Sequence, residues 1–300
     1  MLSEVLLEWQ RSGDYFSYQG HRVFYKREGA GDPLLLLHGF PSASIDWKGI
    51  WPLLTPNFDL IAPDMMGYGF SDKSTSFGYS IAKQADVIVH LVEQLKLPAV
   101  HILGHDYGDT VSQELLARHI EGSLSFEIKS VSLLNGGLFP ETHKPLLIQK
   151  LLMSPIGSIL AKLMSKKKFT DSLQRICSDG LTLSDIDELW TLLEYKQGRL
   201  VVPQLIYYMQ ERREFRERWV GALQQSDAVA MPLHLIDGVI DPISGQHLVN
   251  RFRKLVPGAK VTELEEIGHY PQVEAPQKVV SAFLEGLSDR FKIEQSALEV

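Results

Sequence analysis

Between the apolar run Val100-His101-Ile102-Leu103 and the helix-like stretch Thr110 to Ala117 the chain carries Gly104-His105-Asp106-Tyr107-Gly108. No other feature constrains the fold as much. A buried strand must turn sharply into a helix and leave one side chain at the apex. Glycines bracketing such a strained turn have a steric cause: a side chain at either position would collide with the neighbouring strand or helix. The pattern is that of a nucleophile elbow, G-x-S-x-G, with Asp where Ser is usual. The plainer alternative is a loop whose Asp caps the following helix.

The flanking sequence decides which architecture holds this turn. Rough alternation from Tyr15 to Tyr25 around Gln19-Gly20 predicts a hairpin. Leu34 to Leu37 is a continuous apolar run, as in a strand buried on both faces, and ends at His38-Gly39-Phe40-Pro41. Further strands are predicted at Asp59 to Asp64, Ile128 to Asn135, Pro232 to Asp237 and Lys260 to Leu264, with helices over Ile81 to Leu95 and Pro276 to Leu287. From Leu138 to Asp227 the strand–helix alternation stops and the chain reads as helical, broken at Pro155, Gly157, Gly180, Gly198 and Pro203. These observations predict an α/β fold: a mostly parallel, doubly wound sheet with a helical cap inserted after the sixth core strand. The expected division is core over 1–137, cap over 138–228 and core again over 229–300. Ligands of such sheets bind at the carboxyl ends of the strands, here beneath the cap.

Composition excludes several classes. A net charge of −7 argues against nucleic acid or an anionic membrane as a partner. One cysteine, Cys177, excludes an intramolecular disulfide and a Cys-rich zinc site, and fits a packing role in a reducing compartment. The first residues lack the basic region and long apolar core of a signal peptide, and no stretch reaches the roughly 20 apolar residues of a membrane span. The expectation is a cytoplasmic protein without a transmembrane segment, its oligomeric state left open. Leu146 to Met164, followed by Lys166-Lys167-Lys168, is read as cap helix over the pocket, with an interfacial helix lying on lipid as the alternative.

Two residues complete a set with Asp106. Asp241 follows one predicted strand and His269 follows the last, so the chain order is nucleophile, acid, histidine. Taken singly, Asp241 is a turn former before Pro242 and His269 a polar loop residue. With the His38-Gly39-Phe40-Pro41 loop, Gly104 to Gly108, Asp241 and Gly268-His269, the chain resembles the aspartate-nucleophile branch of the α/β-hydrolases, which holds epoxide hydrolases and haloalkane dehalogenases. Within it the chain resembles the mesoderm-specific transcript group, through Gly104 to Asp109, Asn135 to His143 and Arg218 to Leu223.

A carboxylate is already ionised at neutral pH and suits attack on an sp³ carbon, giving an alkyl ester of Asp106. His269, held by Asp241, would activate the water that hydrolyses this ester, with the backbone N–H groups of Phe40 and Tyr107 as oxyanion hole. The chemistry requires no metal and no cofactor. It also requires that Asp106 lie near His269 and not be tightly paired with a permanent cation. The resemblance places an alternative triad acid at Glu141. It also implies that an epoxide hydrolase supplies two cap tyrosines to protonate the opening oxygen. Trp219-Val220 stands where such enzymes show Trp-Tyr, so Tyr195, Tyr207 and Tyr208 are the candidate proton donors, with Trp219 a possible substrate contact. Tyr107 and Phe40 occupy positions where dehalogenases carry halide donors and supply none. The expected substrate is a small hydrophobic molecule carrying an epoxide, a halide or a strained ester, the epoxide first. Dehalogenation is the alternative, followed by an esterase, a lactonase or a non-catalytic scaffold.

Overall fold

Leu34 to Leu37 have no solvent exposure, which requires protein on both faces of their strand. The computed structural model, which describes residues 2–142, 144–178 and 180–298, supplies it through an eight-stranded sheet of order β1-β2-β4-β3-β5-β6-β7-β8. The strands are β1 (Gly13–Tyr18), β2 (His21–Gly29), β3 (Asp32–Leu37), β4 (Phe58–Pro63), β5 (Ala99–His105), β6 (Glu127–Leu134), β7 (Leu233–Gly238) and β8 (Lys260–Leu264). β1 and β2 form the predicted hairpin, with Tyr18 opposite His21. Its two loop residues, Gln19 and Gly20, both have positive φ, as a tight hairpin turn demands. β2 joins β4 antiparallel, and every pairing from β4 to β8 is parallel.

Helices α1 (Glu4–Arg11), α2 (Trp51–Leu54), α3 (Ile81–Gln94) and α4 (Tyr107–Ile120) accompany the first six strands. Ser80 caps α3 by accepting from the Lys83 amide, and Ile81, Ala85, Ile88, Leu91 and Val92 form its buried stripe. α4 packs on β3, β5 and β6. Between β6 and β7 the described residues contain helices and turns but no strand: α5 (Leu147–Leu152), α6 (Gly157–Lys162), α7 (Lys166–Gln174), α8 (Leu183–Glu194), α9 (Val202–Leu205), α10 (Tyr208–Glu214) and α11 (Arg216–Gln225). This is the inserted cap, and Pro155 separates α5 from α6 where a single long helix would otherwise run. α12 (Gln246–Leu255), α13 (Pro271–Glu274) and α14 (Pro276–Leu298) close the chain. α14 continues past the expected end at Leu287 because no Gly or Pro interrupts residues 287–298. His143, at the end of one stretch that carries the resemblance, lies outside the described residues. Among those described, no helix is long and apolar enough to cross a membrane.

Candidate active site

The strands deliver their chemistry at one end. Asp106 follows β5, Asn135 follows β6, Asp241 lies three residues beyond β7, and His269 five beyond β8. The elbow is as tight as the glycines require. A Cβ on Gly108 would lie 2.1 Å from the Leu37 carbonyl oxygen, and one on Gly104 2.7 Å from Asp109 Oδ1. Asp106 itself is held at φ 45°, ψ −98°, a sparsely populated conformation of the kind found at functional turns. Its side chain makes no capping hydrogen bond to α4, so the helix-cap alternative does not describe it. Instead Oδ2 accepts from the Phe40 amide at 3.2 Å. The Tyr107 amide is the first of α4, one of the N–H groups that a helix leaves without an internal acceptor.

Asp241 and His269 are joined by a 2.7 Å contact between Oδ2 and Nδ1. The carboxylate is fixed from other sides too. Ser244 Oγ donates to Oδ2 at 2.7 Å, Asn135 Nδ2 at 3.1 Å, and the Ile243 amide to Oδ1 at 2.7 Å. The His269 loop is held in turn by Glu274, which accepts from the amides of Gly268 and Tyr270, and His269 N donates to Ile176 O at 2.9 Å. Burial pushes the His269 pKa down, but Asp241, with Asp106 behind it, overcomes this and raises it to about 9. Burial pushes Asp241 up, and His269 brings it down to about 2. Asp106 and His269 each feel the other's charge, so they share one site. Burial depresses His105 to about 3. It is therefore neutral at pH 7, with Nε2 2.7 Å from the His269 carbonyl oxygen.

This pairing predicts a pH signature. A histidine raised in the folded state contributes stability that is full below its unfolded pKa of about 6.5 and lost as pH rises through about 9. Asp241, depressed, contributes above its ordinary value and loses that contribution as pH falls toward about 2. Urea midpoints measured from pH 6 to 10 should therefore fall for the native chain and stay flatter in a His269→Phe variant.

Sequence reasoning missed one residue that matters here. Arg212, buried on α10, donates from Nη2 to the Asp106 carbonyl oxygen at 2.9 Å and reaches Oδ1 at 3.3 Å, while Nε donates to Thr110 Oγ1 at 2.8 Å. The requirement that Asp106 lack a permanent cation is thus not met in full. The carboxylate contact is longer than the roughly 2.7–2.9 Å of a strong charge-assisted bond, and the two shorter bonds brace the turn. Burial pushes the Asp106 pKa up, but Arg212, then His269 and His105, bring it below the usual value. A detectable signal existed: Tyr208 and Arg212 are four residues apart, so they share a helix face, and the guanidinium carbon lies 4.5 Å from the ring centroid. Tyr68, buried with no partner for its hydroxyl among the described residues, is a second phenol near Asp106 that the sequence did not single out.

Removing Arg212 tests this reading of the turn. Arg212→Met should cost about 3 kcal/mol at pH 7, because a buried carboxylate is left without its main counter-charge. Asp106 contributes stability above its ordinary pKa and loses it as pH falls through its folded value; without Arg212 that pKa rises. The stability gap to the native chain should therefore narrow between pH 7 and pH 5 in urea titrations.

Of the candidate proton donors, Tyr208 alone meets Asp106, its hydroxyl 3.5 Å from Oδ1. The others do not. Tyr207, next in the chain and so turned roughly 100° away on a helix, is exposed with its hydroxyl toward Glu214. Tyr195 packs edge-on against Phe70 with Lys73 and Lys196 over its ring. Trp219 spends its indole N–H on Glu114, at 2.8 Å, joining α11 to α4. Glu141 is held by Arg216 and Arg251 at the surface, which depress it to about 2, and it has no bond to His269. Cys177 has its thiol pushed up by burial and then by Glu274, so it is no thiolate at neutral pH. Among the described residues no group of three or more His, Cys, Asp and Glu side chains is arranged to hold a metal ion.

A cavity of about 380 Å³ lies under the cap, walled by Leu146, Leu152, Phe169, Leu173 and Ile243, with Phe40 and His269 in its lining. Asp106 is not in its wall but hydrogen-bonds to the amide of Phe40, which is. The sequence matches the family described as alpha/beta hydrolase fold over residues 32–276. The chain belongs to the α/β-hydrolase fold family. It is 40% identical to the mouse mesoderm-specific transcript protein, over 94% of this chain and 88% of that one. It is 38% identical to a Mycobacterium tuberculosis protein named as the hydrolase LipZ, over 96% and 100%. A loop variant of a haloalkane dehalogenase from Bradyrhizobium elkanii superposes with a TM-score of 0.78 over 96% of this chain and 99% of that one. At 20% identity that last likeness carries the fold alone.

Proposed function

We propose that this α/β-hydrolase opens an epoxide or a comparably strained C–O bond in a small apolar molecule, through an alkyl ester of Asp106. The observation that carries the reading is the placement of one carboxylate between the Phe40 amide at Oδ2 and the Tyr208 hydroxyl at Oδ1, within the field of His269. Oδ1 attacks the ring carbon, the C–O bond breaks, and the released alkoxide takes the Tyr208 proton. Arg212 weakens attack by drawing on Oδ1 at 3.3 Å, while its shorter bonds to the Asp106 carbonyl and Thr110 keep the turn in place.

Hydrolysis follows from the second pair. Esterification removes the Asp106 charge, one of the influences that raise His269, and so favours release of the imidazolium proton to solvent, leaving the neutral ring that can act as base. With Nδ1 committed to Asp241, Nε2 takes the proton of a water that attacks the ester carbonyl carbon, and Oδ2 becomes the oxyanion facing the Phe40 and Tyr107 amides. The domain division at 137 and 228 belongs to the same proposal, since it sets the cap over the carboxyl ends of the strands. Halide release is disfavoured because neither Phe40 nor Tyr107 offers a side-chain N–H and the Trp219 N–H is already bonded.

Tyr208→Phe tests the leaving group. It should lower kcat on epoxides on the order of 100-fold and leave turnover of an activated alkyl halide almost unchanged. Equal losses on both would remove Tyr208 as the proton donor.

A further inference from the structure

The outer face of α5 and α6 is apolar where the inner face already covers the cavity. Leu147 is 73% exposed, Ile159 60% and Leu163 71%, with Leu151 and Ile156 beside them. Leu147 and Leu151 are four apart, and Ile156, Ile159 and Leu163 follow at three and four, so each set shares a helix face. Monomeric proteins rarely leave such a contiguous apolar patch uncovered. Its charge is equally biased. Residues 144–170 hold six lysines and no Asp or Glu, in a chain whose net charge is −7. All six are exposed, and among the described residues only Lys166 has an acidic partner, Asp187.

We infer that the α5–α6 face, with its lysines, is a docking surface for an anionic lipid bilayer, and that the substrate enters the cavity from it. Apolar side chains between lysines match the boundary between acyl chains and acidic headgroups. Ile148 and Leu163 are both exposed and part of the cavity lining, which also includes His269. An amphiphile leaving the bilayer therefore meets apolar surface along its path. A second copy is a poorer occupant, since a symmetric contact would set lysines against lysines. The cap and lipid readings of Leu146 to Met164 are compatible: one face serves each.

Flotation of the full chain with vesicles tests this, using phosphatidylcholine alone and phosphatidylcholine with phosphatidylglycerol. Binding is expected only with the anionic lipid and should weaken with salt. Leu147→Glu/Ile159→Glu touches neither the cavity lining nor the proposed triad. It should abolish flotation while the fold and the turnover of a water-soluble epoxide persist. Lys150→Ala/Lys162→Ala/Lys167→Ala should weaken partition roughly 100-fold. Failure of the native chain to float, equal binding to neutral vesicles, or flotation unchanged by the Glu substitutions overturns the inference. So does a native dimer in sedimentation that those substitutions convert to monomer without any vesicle binding. Because flotation needs no turnover, its outcome is independent of the Asp106 chemistry.

Discussion

Asp106→Asn is expected to reduce turnover on the order of 10⁴- to 10⁶-fold, the scale seen when a nucleophile that works as part of a unit is lost. Asparagine is the informative replacement. It keeps the size of the side chain, and Asn is among the residues that best accept positive φ, so the strained apex at φ 45° survives. Alanine would confound chemistry with collapse of the turn. The amide still accepts from Phe40 N but cannot form the alkyl ester, so the loss should appear in kcat with little change in KM. Circular dichroism should stay close to that of the native chain, while the thermal midpoint should fall somewhat, because buried Arg212 loses its counter-charge although it keeps its bonds to the Asp106 carbonyl and Thr110. A variant that retained more than a small percentage of native turnover would mean that Asp106 only shapes the turn.

The second large effect separates the two halves of the reaction. His269→Phe removes the base but not the nucleophile, so one equivalent of substrate per chain should react and then stop. Ester hydrolysis should slow by up to about 10⁴-fold, the range of general-base contributions. Denatured-protein mass spectrometry should find the substrate mass on the peptide that contains Asp106. Asp241 loses its charged partner in this variant but keeps Ser244, Asn135 and the Ile243 amide, which limits the structural damage. His269→Gln, polar and of similar reach, provides a control for folding. A His269 variant that turns over continuously, or that stays unmodified by a panel of epoxides, halides and lactones, would contradict the division of roles.

How much of this was legible beforehand follows from which forces act locally. The leucines of β3, the glycines around Asp106 and the Gln19-Gly20 turn carry their conformational demands in their own side chains, and each was readable. Asp241 and His269 were findable because strand ends converge in a parallel sheet whatever the loop details. Arg212 and Tyr208 were not placed, because the pose of a helix over a sheet depends on packing between distant segments, such as the Trp219–Glu114 bond that holds α11 to α4. The same packing removed Tyr207, Tyr195 and Trp219 from the site: a one-residue step around α10 separates a phenol on the carboxylate from one in solvent. Glu141 followed from analogy of position, and the two surface arginines that hold it leave no local trace. Asn135, which steadies Asp241 through Nδ2, has positive φ at the end of β6, a weak signal that an apolar run was closing into a functional turn.

Oxygen transfer from the protein itself is the most direct test of the central claim. With enzyme in excess over an epoxide in heavy-oxygen water, a single turnover should give a diol whose new oxygen is light, because it comes from the Asp106 carboxylate. After many turnovers the peptide containing Asp106 should carry the heavy isotope, and in Asp106→Asn it should not. A diol labelled from water on the first turnover, with that peptide left unlabelled, would show that water attacks the substrate directly and that no ester forms.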